Sequence, residues 1–91
     1  MNTGGKPPYV LAIDGGTEAL KAAVVDLTGK VVGHGAAPYA TYYPHPGWAE
    51  QDPVDWWRAL GDACHQCLAA ARISPAHVAA ICADATTCTL V

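Results

Sequence analysis

The segment Asp14-Gly15-Gly16-Thr17 joins two apolar runs of strand length, Tyr9 to Ile13 and Leu20 to Asp26. So short a link makes the runs antiparallel neighbours: strand, tight glycine turn, strand. A turn of this kind presents consecutive backbone N–H groups and the Thr17 hydroxyl, a set of donors that can wrap a phosphate. Asp14 at its head supplies a hard oxygen ligand of the type Mg²⁺ takes, usually through water. Lys21 brings a positive charge towards the same place. Acid, glycines, hydroxyl and cation together suggest nucleotide phosphate chemistry. Asp-Gly and Gly-Gly also make ordinary hairpin turns, so the rest of the chain has to decide.

Leu27-Thr28-Gly29-Lys30 reads as a second turn. Val31 to Ala37 reads as a third strand, weakened by Gly33 and Gly35. The three strands form an antiparallel meander. Tyr9–Ile13 is continuously apolar, the pattern of a strand covered on both faces. Pro38 to Asp52 holds Tyr39, Tyr42, Tyr43 and Trp48 among three prolines, which excludes a helix; its aromatics are expected to pack over sheet or helix. Asp52-Pro53 is a helix start, with a capping carboxylate, Pro at the first helical position and Asp55 in the first turn. Trp57, Leu60, Cys64, Cys67, Leu68 and Ala71 make one apolar stripe, with Trp56-Trp57 read as core and helix-edge packing. Ser74-Pro75 looks like a short second cap, and Val78 to Ala83 like a strand that returns parallel to part of the meander. The order β-β-β-α-β is the opening of a mixed α/β layer. It places the Asp14 turn and Asp84 at strand ends, where open α/β sheets bind ligands.

Composition bounds the partners. Ninety-one residues make one small domain; 52% are hydrophobic and only 14% charged, an interior-rich balance that suits part of something larger. Net charge is −3 and the five Lys and Arg are scattered, which argues against nucleic acid. There is no stretch of membrane-span length, and residues 1–8 are a polar flexible tail without the apolar core of a signal peptide, so the expected location is cytoplasmic. The four cysteines fall in apolar or helical segments. Cys64-His65-Gln66-Cys67 resembles half a zinc site, but both thiols lie on the apolar helix face and read as small hydrophobes.

Taken in order, these segments resemble the N-terminal part of the FGGY family of carbohydrate kinases, from Tyr9 to Val91. The matching residues are Leu11-Ala-Ile-Asp-Gly-Gly-Thr17, Lys21, Asp26-Leu-Thr-Gly29, and Pro46-Gly-Trp-Ala-Glu-Gln-Asp-Pro53 followed by Trp56-Trp57, then Ile81 to Val91. The resemblance implies an incomplete ribonuclease-H-like, actin-type ATPase domain spanning 9–91. Its cofactors are ATP and Mg²⁺, and its reaction is transfer of the γ-phosphoryl group to a sugar or polyol hydroxyl. By the same resemblance Asp14 positions Mg²⁺, Gly15, Gly16 and Thr17 approach the ATP phosphates, and Lys21 supports developing charge. Trp48, Glu50, Gln51 and Asp52 lock their loop onto the helix start. The family's general base, an Asp further along, and its adenosine-binding domain are absent from these residues, so this chain alone is expected to be catalytically silent.

The stretch Asp84-Ala-Thr-Thr-Cys-Thr89 bears on the substrate. It lacks the Gly-Gln-Met-His-Gly of xylulose kinases and the Gln-Arg-Glu of glycerol kinases, and is similar to the ribulose and ribitol kinase branch. Asp84, Thr86, Thr87 and Cys88 are therefore the expected sugar contacts, with a pentulose or pentitol as substrate. A half-built sheet is also expected to self-associate as a homo-oligomer through exposed apolar surface. Two other readings share the phosphate hairpin: a different actin-like ATPase, and a non-catalytic binding remnant. The Gly47-Trp48 to Pro53 loop favours the kinase.

Overall fold

The structure, a computed structural model, describes residues 7–85. The elements are β1 (Tyr9–Gly15), β2 (Ala19–Asp26), β3 (Val31–Pro38), α1 (Pro53–Ala71), a 3₁₀ turn (Pro75–His77) and β4 (Val78–Ala85). They form one sheet in the order β3-β2-β1-β4. The first three strands are antiparallel and β4 is parallel to β1, so the expected β-β-β-α-β order stands.

Local chemistry sets the boundaries. Asp26 ends β2 by turning its Oδ1 back on the chain, where it accepts from Thr28 N–H (2.9 Å), Thr28 Oγ1 (2.6 Å) and Lys30 N–H (3.0 Å). Gly29 completes that turn at φ +89°. Asp52 caps α1 by accepting from Val54 N–H at 2.9 Å, with Pro53 at the first position. Ser74 caps the 3₁₀ turn by accepting from Ala76 N–H at 3.2 Å.

α1 lies on one face of β2 and β3. Its contact stripe is Ala59, Ala63, Cys67 and Ala71, small side chains four residues apart and fully buried. Opposite them stand Gly33 and Gly35. A Cβ on Gly33 would lie 2.5 Å from the Cys67 carbonyl oxygen, and one on Gly35 would lie 2.6 Å from that of Ala63. The two glycines let the helix backbone come close to the strand, and the pairing of β3 with β2 shifts register beside Gly33. Tyr9, Leu11, Leu20, Ala22 and Val24 complete this core.

The same close approach corrects the helix stripe. Trp57 is 76% exposed, because an indole has no room where helix and strand nearly touch. Leu60, Cys64 and Leu68 flank the contact, half-buried. The expectation for β1 is also revised. Its odd-numbered residues face the helix side, and its even-numbered ones, Val10, Ala12 and Asp14, lie on the face of the sheet that no described helix covers.

Candidate active site

Strand register assembles the site on that open face. Asp14 pairs with Lys21 of β2 on one side and with Asp84 of β4 on the other, so Lys21, Asp14 and Asp84 form one row across the sheet. Side chains at paired positions share a face, and all three residues line an open depression of about 600 Å³ floored by Ala12, Ala23 and Cys82. The Asp14 and Asp84 carboxyls are within hydrogen-bond reach. That bond, then the Asp14 charge, hold Asp84 above the ordinary carboxylate value.

The turn after β1 closes with Gly16 N–H donating to the Ala19 carbonyl at 3.0 Å. Neither Gly15 nor Gly16 has a positive φ. Gly16 is tightly placed: a Cβ there would meet the Ala19 carbonyl oxygen at 3.0 Å. Thr17 and Glu18 donate no backbone hydrogen bond among the described residues. Two adjacent N–H groups at the end of the Asp14 strand therefore meet no backbone acceptor among the described residues.

The loop after β3 holds this turn from behind. Tyr39 N–H donates to the Glu18 carbonyl at 3.1 Å, and the Tyr39 hydroxyl donates to the Gly16 carbonyl. Gln51 Nε2 donates to the Thr17 carbonyl at 2.6 Å and to Thr41 Oγ1 at 2.9 Å, while its Oε1 accepts from Trp56 Nε1 at 2.9 Å. Burial, followed by the Asp14 charge, raises the Tyr39 phenol above its usual pKa and keeps it a donor.

The loop is a small hairpin in its own right. Tyr42 and Glu50 exchange backbone bonds at 2.7 and 2.8 Å, Gly47 turns at φ +83°, and His45 meets Trp48 edge-on at 4.6 Å. Its outer aromatics do not pack over the sheet, contrary to expectation. Tyr42, Tyr43 and Trp48 are at least half exposed, and the Tyr42 hydroxyl reaches Asp55 on α1 at 3.0 Å. Only Tyr39 sits against the core.

Of the residues singled out from sequence, Asp14, Gly15, Gly16, Thr17, Lys21 and Asp84 come together. Thr86, Thr87 and Cys88 lie outside the described residues. Cys67 is buried in the helix–sheet contact and its thiol donates to the Cys64 carbonyl at 3.3 Å; burial raises both thiols' pKa values. Tyr39 and Gln51 were missed as partners of the turn. A Tyr and a Gln in an aromatic loop carry no mark of which carbonyl they will reach.

The donor set fits a magnesium nucleotide. Among the described residues no three His, Cys, Asp or Glu side chains gather to hold a metal by themselves. Two carboxylates beside a turn of backbone N–H donors fit Mg²⁺, which keeps its waters and shares its ligands with phosphate oxygens.

Comparison with known proteins identifies the family. Residues 9–91 match the FGGY family of carbohydrate kinases, N-terminal domain. The structure superposes on a xyloylose kinase from Brucella ovis with a TM-score of 0.80 at 31% identity, covering 86% of this chain and 16% of that one. A gluconate kinase from Lactobacillus acidophilus gives 0.78 at 26% identity, with 89% and 16% covered. A glycerol kinase from Paracidovorax citrulli (strain AAC00-1) is 41% identical over 73 residues, 80% of this chain. The chain spans 14% of that relative's length. The sheet and helix are therefore an incomplete ribonuclease-H-like, actin-type α/β domain. No described helix is long and apolar enough to cross a membrane. With the hairpin, the aromatic loop and the family match in agreement, the chain belongs to the FGGY family of carbohydrate kinases, as a part of their N-terminal domain.

Proposed function

We propose that the whole protein to which this chain belongs phosphorylates a hydroxyl of a pentulose or pentitol with ATP, in the cytoplasm. The observation that carries this reading is the row Lys21–Asp14–Asp84 beside the N–H groups of Thr17 and Glu18, which meet no backbone acceptor among the described residues. Bound MgATP would supply the phosphoryl group and neutralise its charge. In this assignment Asp14 holds the ion, through water or directly. The Thr17 and Glu18 N–H groups bind phosphate oxygens, and Lys21 stabilises charge that builds on them. Such positioning is most of what phosphoryl transfer asks of a protein.

In the reaction the sugar oxygen bonds to the γ-phosphorus, the bond to ADP breaks, and the hydroxyl proton passes to a base outside this chain. In the same assignment Asp84 accepts a sugar O–H, with Thr86, Thr87 and Cys88 following it in sequence. The pentulose or pentitol reading rests on this segment. Relatives named for glycerol, xyloylose and gluconate match this chain in sequence or in fold.

The test is ADP release by protein expressed from the complete reading frame, with ribulose, ribitol, xylulose, glycerol and gluconate each in turn. Ribulose or ribitol should give the highest kcat/KM. A clear preference for glycerol, xylulose or gluconate overturns the substrate, and no sugar-dependent turnover overturns the activity. The 91-residue chain alone should show none.

A further inference from the structure

We propose that Gln51 and Tyr39 are positioning residues that aim the phosphate-binding N–H groups of the turn, an inference that rests on the kinase reading above. A trans peptide group is planar, and its C=O and N–H point in opposite directions. Fixing a carbonyl therefore fixes the N–H of the next residue. The Tyr39 hydroxyl holds the Gly16 carbonyl and so sets the Thr17 N–H. Gln51 Nε2 holds the Thr17 carbonyl and so sets the Glu18 N–H. Those are the two donors in the turn that have no backbone acceptor among the described residues. The loop grips one side of the turn and leaves the other side presenting both N–H groups.

The orientation of the Gln51 amide follows from its neighbours. The Thr17 carbonyl can only accept and the Trp56 indole can only donate, so Nε2 must face the turn and Oε1 the helix. Gln51 thereby ties the turn to the first residues of α1. This goes beyond a link between the loop and the helix start: the far end of the link is the turn itself. Donors held in place before the substrate arrives cost no reorganisation during reaction.

Gln51→Glu is the sharpest variant. It keeps size and the acceptor for Trp56 Nε1, but sets a carboxylate oxygen against the Thr17 carbonyl. Tyr39→Phe removes only the hydroxyl that reaches Gly16. In the complete kinase each should lower kcat/KM for ATP about tenfold. The sugar KM and the thermal midpoint should hardly move, and Gln51→Glu/Tyr39→Phe together should cost more than either. Unchanged kcat/KM for ATP, or a loss that tracks a fallen thermal midpoint, contradicts the proposal.

A second readout does not depend on kinase activity. In ¹⁵N-labelled protein the Thr17 and Glu18 amide resonances should be single in the wild type. Glu18 should shift or broaden in Gln51→Glu, and Thr17 in Tyr39→Phe. Unaltered amides refute the clamp even if no sugar is phosphorylated; altered amides in a protein without turnover keep the clamp and discard the kinase.

Discussion

Asp14 and Asp84 stand at matching positions on neighbouring parallel strands, and the first raises the pKa of the second. The cause is their mutual hydrogen bond, followed by charge repulsion. A carboxyl with a raised folded pKa binds its proton more tightly in the folded chain. That contribution to stability is full below the ordinary value of 3.8 and is lost as pH rises through the raised value. Asp84→Asn should therefore be more stable than wild type at pH 7, with the gain fading in acid. Mg²⁺ should raise the wild-type melting temperature more than that of the variant. Thermal denaturation across pH, with and without Mg²⁺, checks both.

Lys21 lies across from Asp14 on the same face. In the complete enzyme Lys21→Ala should lower kcat by about 10- to 100-fold, roughly 1.4–2.7 kcal/mol of barrier, with the sugar KM unchanged. Lys21→Arg should retain charge but not full rate, since the guanidinium has a different geometry. An unaltered kcat in Lys21→Ala would remove it from the phosphate site.

One substitution at two glycines should have opposite signs. Gly35→Ala puts a Cβ against the Ala63 carbonyl and should cost about 1–3 kcal/mol of stability, as overpacking does. Gly61→Ala, inside α1 with open space around its Cβ, should add about 0.5–1 kcal/mol. Urea denaturation of the two variants against wild type measures both.

Asp26 titrates in the other direction from Asp84. The hydrogen bond from the Thr28 side chain is the main cause of its lowered pKa, offset in part by desolvation and reinforced by the Lys30 and Thr28 backbone bonds. Stability from a depressed carboxylate is present above 3.8 and lost as pH falls through the folded value. Thr28→Val should bring the Asp26 pKa back towards 3.8, seen by carboxyl titration in NMR. Asp26→Asn should flatten the acid limb of the stability profile.

What the sequence made legible was whatever one segment decides. Asp52-Pro53 starts a helix and Gly29 closes a turn whatever surrounds them. Trp57 was misread because helix rotation depends on two partners: small residues on α1 and glycines on β3 meet, and the Trp57 indole is turned out. The Lys21–Asp14 pairing followed from the hairpin. Asp84 joined that row only through the register of a parallel strand, which no local pattern fixes. Gln51 and Tyr39 were harder still, since their partners are backbone carbonyls, which look the same in every sequence.

The most direct test is a crystal structure of the complete protein with Mg²⁺, a non-hydrolysable ATP analogue and a pentitol. The account predicts terminal phosphate oxygens within hydrogen-bond distance of the Thr17 and Glu18 N–H groups, the ion beside Asp14, and the polyol on the Asp84 side. A nucleotide bound with its phosphates away from this turn would contradict it.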